Sequence, residues 1–201
     1  MVILDPGHGF DTPGKRSPVW SDGTQLLEWE FSRDVVRRIE RRLIALNIPC
    51  QILVREARDV SNTLRAKRAN EIYRIYPNSF GISVHGNAAP EDIMGQGEGW
   101  EVWTSPRETE SDKIAAIIYN QAKVMIPQFK MRNGKCPENP GPDKEAKFTI
   151  LVKTDCPFIL TENGFYDNEK DCRFMMSDYG RELISKVHQF AICSYLQLHS
   201  V

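Results

Sequence analysis

The sequence predicts an α/β fold: a single domain, residues 1–201, with a twisted, largely parallel (mixed) sheet flanked by helices. Three observations carry this. The strand candidates are short continuous apolar runs, as in "VIL" and "FGISV", which is how strands covered on both faces read. Segments of helical period separate them, and strands alternating with helices build parallel sheets. At 201 residues the chain can bury roughly 70% of its unfolded surface without disulfide or metal support.

Val2 to Leu4 form the first strand, which "DPG" ends with turn chemistry. A Gly-, Pro- and Ser-containing loop follows to Thr24. From Glu28 to Leu46, Phe31, Val35, Ile39, Leu43 and Leu46 recur every three to four residues, the mark of an amphipathic helix. Gln51 to Val54 reads as a strand, Asn62 to Tyr76 as a helix, and Phe80 to Val84 as a buried strand ending at His85. Gly99 to Thr104 is a further strand with Trp100 and Val102 inside, and Thr109 to Ile126 is helical. Pro127 to Ala146 is rich in proline and glycine and reads as a long surface loop, too rich in proline for a blocking helix over a neighbouring site. Pro157 to Thr161 is a strand that delivers Glu162, and Glu169 to Met175 and Tyr179 to Gln197 are helical.

Lys and Arg number 26 against 27 Asp and Glu, so the charge balance gives no electrostatic footprint for nucleic acid or anionic lipid. No apolar stretch approaches the 18 or so residues of a membrane span, and the start does not read as a secretory leader, so the expectation is either a leader already removed or a phage-type release. Five cysteines without a C-x-x-C spacing argue against a disulfide framework or a cysteine zinc site and read mostly as buried or half-buried thiols. The chain is expected to be a monomer.

Polar groups gather at three strand ends: His8 in "DPGHG", His85 in "SVHGN" and Glu162 in "LTENGF". The C-terminal ends of parallel strands share one sheet edge, where ligands bind. Glu28, opening the first long helix, is a fourth candidate. Two imidazoles and a carboxylate make a hydrolytic zinc set, and a second carboxylate serves as base. Each has a bland reading: Glu28 as a carboxylate favouring a helix N-terminus, Glu162 as a solvated loop acid, and His188 and His199 as structural histidines.

The ordered segments "ILDPGHG", "LLEWEFSRDVVRRIERRL", "LVREARDVSNTLRAKRAN", "FGISVHGNA", "GWEVWTS" and "FTILVKTDCPFILTENGFYDN" resemble the zinc-dependent N-acetylmuramoyl-L-alanine amidases of the amidase-3 family over nearly the whole chain. The resemblance implies a zinc amidase/carboxypeptidase-like fold and one Zn²⁺ bound by His8, Glu28 and His85, with Glu162 catalytic. The implied reaction is hydrolysis of the amide between N-acetylmuramic acid and L-alanine in peptidoglycan, at the bacterial cell wall. Glu30 competes with Glu28, and aligning the apolar helix face that starts at Phe31 with the family's pattern favours Glu28. Asn87 is a candidate substrate-binding or loop-orienting residue. Phe10, Trp29 and Gly86 depart from the family's usual Gly, Lys and Ala, none of them at a ligand position. The alternatives are a zinc carboxypeptidase or other amidohydrolase of similar fold, in which Asp11 would stand where a second ligand is expected after His8, and a noncatalytic wall-binding relative.

Overall fold

A computed structural model describes residues 1–134 and 141–198. Its elements are β1 (Val2–Pro6), α1 (Glu28–Ala45), β2 (Cys50–Ile52), α2 (Asn62–Ile75), β3 (Phe80–Asn87), β4 (Trp100–Thr104), α3 (Glu110–Met125), β5 (Lys144–Glu145), α4 (Thr149–Val152), β6 (Phe158–Phe165), α5 (Glu169–Met176) and α6 (Asp178–Leu198). Six strands form one sheet in the order β2-β1-β3-β6-β4-β5. Every neighbouring pair is parallel except β4 and β6, so the sheet is mixed.

Strand residues alternate between two cores. Val2, Leu4, Ile82, Val84 and Ile159 face the layer of α1, α3 and α6, whereas Ile3, Phe158 and Leu160 face α2 and α4. The helix α1 buries Phe31, Val35, Val36, Ile39 and Leu43, all 0% exposed. Each such side chain contributes roughly 1.5–3 kcal/mol relative to exposure. The helix stops one residue short of the sequence expectation because Leu46 is half exposed and serves as the C-cap. Thr109 caps α3 reciprocally with Asp112.

Sheet order explains where a ligand can sit. The chain goes from β1 to β2 on one side, then passes back to β3 on the other, with α1 and α2 covering opposite faces. That reversal opens a crevice at the C-terminal ends of β1 and β3.

Four expectations need correction. The strand carrying Glu162 does not end at Thr161; β6 runs to Phe165, and Glu162 lies within it, in register with His85 on β3 and Glu101 on β4. The polar "TENGF" continues as strand because Asn163 is satisfied inside the sheet: its amide donates to the His85 carbonyl at 3.0 Å and accepts from the Trp100 indole at 2.9 Å. Gly164, at φ 112°, supplies backbone freedom that a side chain would deny. Likewise β3 continues past Val84 to Asn87, with an irregular register between His85 and Asn87. The predicted strand Gln51 to Val54 is displaced to Cys50–Ile52. The expected loop from Pro127 to Ala146 contains the short strand β5; its residues 135–140, with Cys136, lie outside the described residues, as does His199. Of the other cysteines, Cys156 and Cys172 are buried, Cys50 and Cys193 partly buried, and all four are free thiols.

Candidate metal centre

Turn chemistry after β1 presents His8 in a conformation that side chains avoid. Its φ is 58°, a region that costs of order 1–3 kcal/mol unless the surroundings impose it. Two buried guanidinium groups impose it here. Arg33 donates to the His8 carbonyl at 2.7 Å and Arg65 donates to it at 3.2 Å. Gly7 is required for a different reason: a Cβ there would lie 2.3 Å from the His85 ring.

Glu28 reaches the same place from the first turn of α1 and is 1% exposed. The backbone entering the helix is fixed by a bridge between Arg16 and Leu27 and by the Glu28 amide donating to the Lys15 carbonyl at 3.0 Å. Its Oε1 lies 3.0 Å from His85 Nδ1 and 3.4 Å from His8 Nε2, and accepts from the Gly86 amide at 3.2 Å. One donor atom from each of His8, Glu28 and His85 lies within 4.8 Å of the others.

Burial raises the Glu28 carboxyl, but the hydrogen bonds and charges of His8 and His85 outweigh it and hold the pKa down, to about 2. For His85, burial favours the neutral ring and the neighbouring Glu28 reverses that, so its pKa is raised. Burial, together with the charges of Glu28 and Glu101, pushes Glu162 up to about 8 against the opposing pull of His85 and Lys15.

Two imidazoles and one carboxylate aimed at a common point are a donor set that zinc accepts, with one position left for water or substrate. A second observation fits a cation: Glu28 Oε2 and Glu162 Oε2 are buried without any hydrogen-bond partner. Orphaned carboxylate oxygens are costly unless something positive is supplied. Beside the cluster opens a cavity of about 400 Å³ lined by His8, His85, Glu162, Lys15, Lys147 and Phe148, among others.

The competing readings separate on contacts. Glu30 is clamped by Arg181 through two hydrogen bonds of 2.7 and 2.8 Å, away from the cluster. Asp11 accepts from the Asp59 amide at 2.7 Å and is absent from the cluster. His188 is fully buried and satisfied by Thr161 and the Ile184 carbonyl at 2.9 and 2.8 Å, as a structural histidine should be. Asn87 donates to Glu101 at 2.8 Å and accepts from the Ala88 amide.

Sequence reasoning missed the supporting residues Asp5, Arg65, Ser83 and Glu101. The first three are linked directly beneath His85. Glu101 gathers Arg132 and Lys144, both at 2.6 Å, and so ties both flanks of the 127–147 loop to the sheet. The available signal was polarity at strand positions whose neighbours are apolar, as with Asp5 in "VILDP" and Ser83 in "GISVH".

The comparisons agree with this architecture. The chain is 26% identical over 189 residues to the N-acetylmuramoyl-L-alanine amidase CwlM of Bacillus licheniformis, covering 93% of this chain and 65% of that protein. It is 27% identical over 200 residues to the endolysin of Bacillus phage SPP1, covering 98% of this chain and 66% of the phage protein. It thus spans just under two thirds of the length of both. Among solved structures, the N-acetylmuramoyl-L-alanine amidase from Clostridium difficile 630 superposes with a TM-score of 0.82 at 20% identity, covering 98% of this chain and 96% of that one. The sequence profile of the Amidase_3 family, N-acetylmuramoyl-L-alanine amidase, matches residues 2–194, and the chain belongs to that family.

Proposed function

We propose that the protein is a zinc-dependent amidase that cleaves the bond between the lactyl carbonyl of N-acetylmuramic acid and L-alanine in peptidoglycan, and that it acts at the bacterial cell wall as a monomer. The observation that carries this is the juxtaposition of a cluster able to hold a metal, His8, Glu28 and His85, with Glu162, whose buried Oε2 has no hydrogen-bond partner and which lines the adjoining cavity. Family membership supplies the substrate class.

A zinc ion held by His8, Glu28 and His85 would supply Lewis acidity for the scissile carbonyl and for the attacking water. Glu162 takes the proton from the attacking water and returns it to the leaving amine nitrogen, work for which a raised pKa suits it. His8, Glu28 and His85 fix the site's geometry, and Lys15 and Lys147 line the cavity that receives the substrate. Asn87 contributes indirectly, holding the end of β3 to Glu101.

The test is hydrolysis of purified sacculi with metal analysis alongside. The expected products are free stem peptides with a new N-terminal L-alanine and near-stoichiometric zinc on the enzyme. Release of single C-terminal amino acids would indicate a carboxypeptidase instead, and zinc without turnover a binding protein.

A further inference from the structure

Beneath the cluster, a chain of buried groups runs from α2 through the sheet to His85. Arg65, Asp5 and Ser83 are 2%, 2% and 0% exposed. Arg65 Nη1 donates to Asp5 Oδ1 at 2.6 Å, Ser83 Oγ donates to Asp5 Oδ2 at 2.6 Å, and His85 Nε2 lies 3.1 Å from Ser83 Oγ.

Proton counting gives this chain a direction. A serine hydroxyl has one proton. Arg65 already takes one oxygen of its salt-bridge partner Asp5, and giving the Ser83 proton elsewhere would leave the other Asp5 oxygen buried and unpaired. With its proton committed to Asp5, Ser83 offers His85 only lone pairs. The contact at Nε2 is therefore an N–H donated by the imidazole. The opposite nitrogen, Nδ1, is the one that faces Glu28 Oε1 at 3.0 Å.

We propose that Ser83, oriented by Asp5 and Arg65, is a positioning residue that holds His85 as the Nε2–H tautomer and thereby presents Nδ1 to the metal. Arg65 extends the effect across the site, because it also donates to the Pro6 carbonyl at 2.6 Å and to the His8 carbonyl. One guanidinium thus holds the His8 segment directly and the His85 segment through Asp5 and Ser83. The inference rests on the metal reading above and deepens it.

Long-range ¹H–¹⁵N correlation on the zinc-loaded, histidine-labelled protein tests it without any variant. The expected spectrum shows the His85 proton on Nε2, protected from solvent exchange, with Nδ1 bound to metal; a proton on Nδ1 overturns the proposal. In Ser83→Ala, chelator competition should show zinc affinity lowered about 10- to 100-fold, the usual worth of a partner that orients a ligand, with faster exchange at Nε2 and an unchanged circular dichroism spectrum. Unchanged affinity would overturn it, and if Ser83→Ala does not fold the wild-type spectrum decides. His8→Ala separates the two readings: zinc retained there means the centre itself is misassigned, whereas a centre that needs His8 but is indifferent to Ser83→Ala overturns the tautomer assignment alone.

Discussion

Glu162→Gln removes basicity while keeping shape, and the structure makes its consequences calculable. Glu162 Oε2 has no hydrogen-bond partner, so the substitution severs no bond at that oxygen and a loss of rate reports on chemistry rather than on collapse of the site. Loss of a positioned base is worth about 10² to 10⁴ in kcat, or roughly 3–5 kcal/mol of transition-state stabilisation. Zinc content should be unchanged, because the three-ligand cluster does not include this residue. In the metal-free protein the Glu162 pKa is raised from 4.5 to about 8. A raised folded pKa means that its stabilising contribution is full below the unfolded value and is lost as pH climbs through the folded one. Metal-free Glu162→Gln should therefore gain stability relative to wild type as the pH rises from about 4.5 to about 8, levelling off above that at a gain on the order of a few kcal/mol. In the loaded enzyme a nearby cation favours the carboxylate, so the acid limb of kcat/KM should lie between the ordinary carboxylate range and that metal-free value. The assays are stem-peptide release from sacculi, elemental analysis, and urea unfolding of the stripped protein across pH. Normal zinc with near wild-type turnover would refute the role of Glu162 as base, and loss of zinc would make it a ligand.

Glu28→Ala should lose zinc while Glu30→Ala keeps it, since Glu30 is engaged with Arg181 outside the cluster; elemental analysis after dialysis reads both. Gly7→Ala places a methyl group 2.3 Å from the His85 ring, so overpacking should destabilise the fold by about 1–3 kcal/mol and weaken zinc binding, measured by urea unfolding and chelator competition. Burial holds His188 down from 6.5 to about 4, so its neutral form contributes stability above the unfolded value that is lost as pH falls toward the folded one. That contribution is about 3 kcal/mol, and His188→Gln should flatten the acid loss of stability in this window; matching pH profiles for the two proteins would contradict it.

Local pattern alone determined the alternation of apolar strands and amphipathic helices, because periodicity and burial are coupled within each element. It placed α1 to within one residue and located β1, β3, α2 and α3, although β2 was displaced. It also nominated His8, His85, Glu28 and Glu162, since glycine-framed turns and helix starts mark where side chains can be presented to a crevice. What local pattern could not decide is anything fixed by partners distant in sequence. The polar "TENGF" looks like a turn until Trp100 and the His85 carbonyl satisfy Asn163 and keep it in the sheet. Family alignment favours Glu28 over Glu30, but the physical reason that Glu30 stays away from the cluster is Arg181, 151 residues from Glu30, which claims it. The direction of β4 and the chain of groups from Arg65 through Asp5 and Ser83 to His85 likewise exist only once the strands lie side by side. A buried polar group is tolerable only when its partner is in place, and folding alone supplies that partner.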